Sequence, residues 1–111
     1  MSRRIVTDED LEKALDWLRD SAQEMGDVKA ETVRAGHMMK VVKALTMKEH
    51  NDKPVSHQER EALASPAYLA ALERDAVAAG EYEKMRALRE AAALKIETWR
   101  TESANYRSMK V

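Results

Sequence analysis

Residues 66–108 read PAYLAALERDAVAAGEYEKMRALREAAALKIETWRTESANYRS, a run dominated by Ala, Leu, Glu, Lys and Arg with no alternating strand pattern. Apolar and small residues recur in steps of three and four: Leu69, Leu72, Ala76, Ala79, Tyr82, Met85, Leu88, Ala92, Ile96, Trp99, Ser103 and Tyr106. That spacing is one face of a single long helix. Ser65-Pro66 opens it, because Ser caps a helix start and Pro is tolerated at the first helical position. Gly80 is its one weak point.

Upstream, Asn51-Asp52-Lys53-Pro54 reads as a hinge, since Pro54 disfavours helical geometry at Lys53. Ser56 and Glu59 match the S-x-x-E capping box, predicting a short helix over about 57–63. Before the hinge, Thr7 is an N-cap with Asp8, Glu9 and Asp10 in the first turn, where carboxylates suit the positive end of the helix dipole. The spacing predicts a helix over about 8–50 with a stripe of Leu11, Leu15, Leu18, Ala22, Met25, Val28, Thr32, Ala35, Met39, Val42 and Leu45. Two consecutive steps of three, from Ala22 through Met25 to Val28, predict a slip and a kink at Gly26-Asp27. Gly36 is a second soft point.

At roughly 1.5 Å per residue, two helices of about 40 residues would each span around 60 Å. The expected fold is all-α: one helical domain over 1–111, a long antiparallel helical hairpin with a short connecting helix, coiled-coil-like and oligomeric. A two-helix seam leaves Val33, Met38, Val41, Met47, Val77 and Leu94 without cover, so self-association is expected. The interface is assigned to Met39, Val42, Trp99 and Tyr106.

The chain has 111 residues, no Cys and a net charge of -1. Its length suits one domain. The lack of Cys excludes disulfides, a thiol nucleophile and cysteine-held metals. Met1-Ser2-Arg3-Arg4 leads quickly into Thr7-Asp8-Glu9-Asp10, and no stretch reaches the roughly 18 apolar residues of a membrane span, so a cytoplasmic chain without signal or anchor is expected. None of His37, His50 and His57 pairs with another at i, i+3 or i+4, which argues against a metal site. No phosphate-binding loop, nucleophile elbow or zinc motif is present, so neither enzymatic activity nor a cofactor is expected.

Charge is unevenly placed. Residues 8–27 carry eight acids against Lys13 and Arg19, whereas residues 28–48 carry Lys29, Arg34, Lys40, Lys43 and Lys48 with Glu31 as the only acid. With His37, the five bases fall within about half of the helix circumference. Such a strip suits a polyanion, and it also reads as an ordinary solvated helix face. Near the C-terminus, Trp99 and Tyr106 are seven apart, as are Arg100 and Arg107. This aromatic and guanidinium pairing could stack bases, or it could simply continue the helix packing.

Within this pattern, Val28-Lys29-Ala30-Glu31-Thr32-Val33-Arg34 and Met39-Lys40-Val41-Val42-Lys43-Ala44-Leu45 resemble the first helix of the T4-type phage recombination mediators, the UvsY family. The likeness covers Trp17 to His50. The whole chain also resembles short prophage helical proteins through Pro54-Val55-Ser56-His57-Gln58-Glu59-Arg60-Glu61 and the segment Ile96 to Arg107, a likeness that carries no activity with it. The mediator resemblance implies a ring-forming helical protein that binds single-stranded DNA, helps displace a single-strand-binding protein and loads a recombinase in the host cell cytoplasm. Lys43 matches a basic position of that family's DNA-binding segment; a second basic position two residues later is Leu45 here. The alternative from the residues alone is a structural, protein-interaction oligomer that never touches nucleic acid.

Overall fold

The computed structural model describes residues 3–109. Four helices account for nearly all of them: α1 (Asp8–Asp20), α2 (Ala22–Glu49), α3 (Val55–Ala64) and α4 (Pro66–Met109). No strand occurs among the described residues, in line with the all-α expectation. Packing divides them into two units, one from the residues up to Met25 with those from Lys84 onward, the other from Gly26–Glu83.

In the first unit, α1 begins at the expected cap. The Thr7 hydroxyl accepts from the Asp10 amide and the Asp10 carboxylate accepts from the Thr7 amide, both at 3.1 Å. These bonds, the backbone one foremost, hold Asp10 below its ordinary carboxylate range. α1 runs antiparallel to the C-terminal part of α4: Asp8 accepts from the Trp99 indole at 2.8 Å, while Arg89 donates to the Leu18 carbonyl at 3.0 Å. Ala14 of α1, Ser21 at its C-terminal end, and Met85 and Ala92 of α4 are buried.

The sequence pattern puts Leu15, Ala22 and Leu88 on this seam; all three are exposed. The inward positions are Leu11, Ala14, Leu18, Ser21 and Met25, spaced three, four, three, four. Because Ser21 rather than Ala22 faces in, the step to Met25 is four and the slip expected at Gly26-Asp27 vanishes. The helical run expected over 8–50 is interrupted instead at Ser21 (φ -88°, ψ -1°), where the Ser21 amide still bonds the Trp17 carbonyl at 2.8 Å. The Arg89 guanidinium supplies the reason for an inward serine: it donates to Ser21 Oγ at 2.7 Å as well as to Leu18. α2 then continues unbroken through Gly26 and Gly36, as α4 does through Gly80.

In the second unit, Ala35, Ala62, Ala71 and Ala78 are buried, with Ala35 and Ala62 at 0% exposure. Around them Val28, Thr32, Met39 and Val42 of α2 and Tyr68, Asp75 and Tyr82 of α4 are half-buried. The apolar stripe expected inward, Leu69, Leu72, Ala76 and Ala79, is exposed here, and the seam lies one residue earlier in the chain. Alanine at the contact positions lets helix axes approach toward the close end of the 8–10 Å range, a gain that bulkier leucines forbid.

α3 starts at Val55, two residues before the predicted start, and Pro54 caps it without a side-chain bond. Ser56 therefore lies inside the helix and the Ser56–Glu59 capping box does not form. Ser65 does cap α4 as expected: its hydroxyl accepts from the Tyr68 amide at 3.1 Å and donates to the Ala62 carbonyl at 2.7 Å, tying the end of α3 to the start of α4.

Candidate nucleic-acid interface

Every base of the predicted strip belongs to the second unit. On the α2 wheel, Lys29, Lys40 and Lys43 lie to one side of the buried seam, His37 lies outermost, and Arg34 and Lys48 lie toward the other side. Lys29, His37, Lys40 and Lys48 are exposed and Lys43 is half-buried. His37, Lys40, Lys43 and Lys48 form no side-chain ion pair or hydrogen bond among the described residues. Lys29 sits with its ammonium 5.0 Å from the centre of the Tyr82 ring, so a cation and an aromatic face stand together beside the strip.

Arg34 differs. It lies 3.6 Å from Glu31, whose carboxylate also takes Arg74 at 2.8 Å and 3.2 Å through Nε and Nη2. The Arg74 bonds hold Glu31 below its ordinary range, with Arg34 adding to the effect, and Glu31 in turn raises Arg74. The one acid of the basic segment thus serves as an interhelical tie.

The C-terminal cluster lies in the first unit and is engaged by a segment that the sequence pattern did not connect to it. The Arg4 guanidinium lies 5.5 Å from the Trp99 ring centre and 5.1 Å from that of Tyr106. It also pairs with Asp8 at 3.2 Å and donates to the Ser103 hydroxyl. Glu102 completes the latch by accepting from the successive amides of Ile5 and Val6, both at 2.9 Å. Those two amides, Val6 first, hold Glu102 below its ordinary value of 4.5, with Arg4 adding to them. Trp99 and Tyr106, expected as interface or stacking residues, thus carry Arg4. Arg100 is paired with Glu97 at 3.1 Å, whereas Arg107 stays exposed beside the aromatic pair. Nothing in the local sequence announces Arg4 or Glu102, because both act only across the fold.

Met39 and Val42, the other interface candidates, are half-buried on the α2 seam. His50 and His57 meet edge-on with ring centres 6.1 Å apart although they are not three or four residues apart, since the turn between α2 and α3 folds one onto the other. His57 also lies 3.8 Å from Glu61.

The second unit also carries an open groove of about 380 Å³ between α2 and α4. Val28, Val77 and Ala78 give it an apolar lining, and Asp27, Glu73 and Glu81 make it acidic. Among the described residues, no helix is long and apolar enough to cross a membrane. No family model, curated protein or solved structure matches the chain.

Proposed function

We propose that the protein binds single-stranded DNA without sequence preference, as an oligomer in the host cytoplasm, in the role of a phage-type recombination mediator or accessory protein that assists recombinase loading. It performs no catalysis of its own. One observation carries this reading: Lys40 and Lys43 form no ion pair among the described residues and share a flank of α2 with Lys29. Phosphates need such unpaired cations, and Tyr82 beside Lys29 adds an aromatic surface. A net charge of -1 means that affinity must come from several copies presenting the face together.

Titration of a fluorescently labelled oligothymidylate tests it. With Lys29, Lys40 and Lys43 each on a phosphate, the logarithmic salt slope per chain is about -2. Lys40→Glu with Lys43→Glu weakens binding by at least about tenfold. Absence of binding by the unaltered protein at about 50 mM salt rejects the reading.

The second reading, a protein-interaction oligomer indifferent to nucleic acid, is favoured by Leu69, Leu72, Leu88 and Leu94, which are all exposed. It predicts a stable assembly whose mass is insensitive to the lysine reversals and which gives no DNA signal.

A further inference from the structure

Beyond the seam, α2 carries a second regular stripe. Asp27, Glu31, Arg34, Met38, Val41, Leu45 and Lys48 follow one another in steps of four and three. Such residues share one helix face about 110° from the buried seam. The Glu31–Arg74 pair sets this face on the same side of the helix pair as the groove, which takes Asp27 and Glu31 into its lining. Past the groove, Met38, Val41 and Leu45 are 41%, 47% and 57% exposed, and in the groove Val77 is 56% exposed.

This side of the second unit is therefore polarised along α2. One end is an acidic groove with an apolar lining; among the described residues, Glu73 and Glu81 hold no ion pair. The middle is apolar. The far end carries Lys48, likewise unpaired among the described residues. A surface acidic at one end and basic at the other complements itself when rotated by a two-fold axis through its centre.

We infer that this face docks a second copy of the chain, with the two α2 helices antiparallel and crossing between Met38 and Val41. In that register Met38 of each copy lies against Val41 of the other, and Leu45 lies along the aliphatic stem of Arg34. Lys48 reaches the mouth of the opposite acidic groove, where Glu73 holds no ion pair among the described residues, twice per dimer. Lys29, Lys40 and Lys43 lie on the other flank of α2, so pairing leaves them open and doubles the cationic surface. The inference gives a location to the self-association in the proposed function. Its test uses no DNA, so failure of DNA binding and failure of this dimer are told apart.

The absence of Cys makes cross-linking clean. Leu45→Cys and Arg34→Cys proteins, prepared separately, are mixed and oxidised. The antiparallel register brings these positions together and gives a mixed cross-linked dimer. Leu45→Cys alone does not cross-link, because its two copies are offset by 11 residues, about 16 Å along the axis. Sedimentation velocity gives a dimer for the unaltered protein. Val41→Asp, with unchanged helical circular dichroism, weakens that dimer by about 100-fold or more, since each copy buries an unpaired carboxylate. A monomer at high micromolar concentration, a Leu45–Leu45 cross-link, or a Val41→Asp protein of unchanged mass each overturns the inference.

Discussion

Arg89→Met is the sharpest test of how the first unit is held. Arg89 is half-buried on α4, and its Nη1 donates to the Leu18 carbonyl at 3.0 Å and to Ser21 Oγ at 2.7 Å. Ser21 is 5% exposed, so its hydroxyl has little access to water. Methionine keeps an unbranched apolar stem in the seam but removes both donors. Hydrogen bonds from charged groups are worth about 1.5–3 kcal/mol each, and a buried acceptor left unpaired costs about 1–3 kcal/mol. Partial burial of Arg89 and the apolar gain from methionine offset part of that sum, giving an expected loss of about 2–3 kcal/mol. Ser21→Ala alone costs about 1 kcal/mol, because Arg89 keeps Leu18. In the double variant the serine no longer needs a donor, so the two losses combine to less than their sum by about 1 kcal/mol. Urea unfolding followed by circular dichroism, at one fixed protein concentration because association adds to apparent stability, measures all four proteins. A loss below about 0.5 kcal/mol for Arg89→Met, or strict additivity of the two changes, refutes this account of the Ser21 interruption.

Three further outcomes follow from the same geometry. Gly26, Gly36 and Gly80 sit inside helices without positive φ, and a Cβ added at any of them meets nothing within 4 Å. Each Gly→Ala change therefore raises stability by about 0.5–1 kcal/mol in the same unfolding assay, and a loss at any site contradicts the helical continuity described for it. Ala35→Leu and Ala62→Leu, at the two positions with 0% exposure, overfill the core of the second unit and each cost about 1–3 kcal/mol, whereas an unchanged midpoint would show that nothing packs against them. Glu102 has its pKa lowered by the Val6 and Ile5 amides, so its stabilising contribution is fully present above its ordinary value of 4.5 and is lost as pH falls through the lower folded value. Acidification below about pH 4.5 thus loosens the Arg4–Thr7 segment, read as a change in tryptophan fluorescence as Trp99 loses Arg4; Glu102→Gln reports the loosened state already at neutral pH.

Local chemistry was legible without coordinates. Thr7 followed by Asp10, and Ser65 followed by Pro66, announce helix starts because capping needs only residues three apart on one chain. The Ser56–Glu59 pattern misled for the same local reason: Pro54 could start the helix earlier, and that choice left the serine inside it. The phase of the seam was harder to read. Leu69, Leu72, Ala76 and Ala79 outrank Tyr68, Ala71, Asp75 and Ala78 in hydrophobicity, and two stripes one residue apart fit the same helical period. The candidate site divides in the same way: the clustering of Lys29, Lys40, Lys43 and Lys48 is visible from spacing alone, but the commitment of Arg34 and Glu31 to Arg74 is not.

Sequence alone determined that this chain is helical, where α1 and α4 begin, that the chain turns at 51–54, and which stretch gathers positive charge, since these properties arise from residues within a turn or two of one another. Tertiary structure decided which stripe is buried, that Ser21 faces Arg89, and that Arg4 and Glu102 fasten the N-terminal segment over Trp99 and Tyr106. Those choices depend on how closely two helices can approach and on partners distant in the chain, and neither quantity is carried by a single helix.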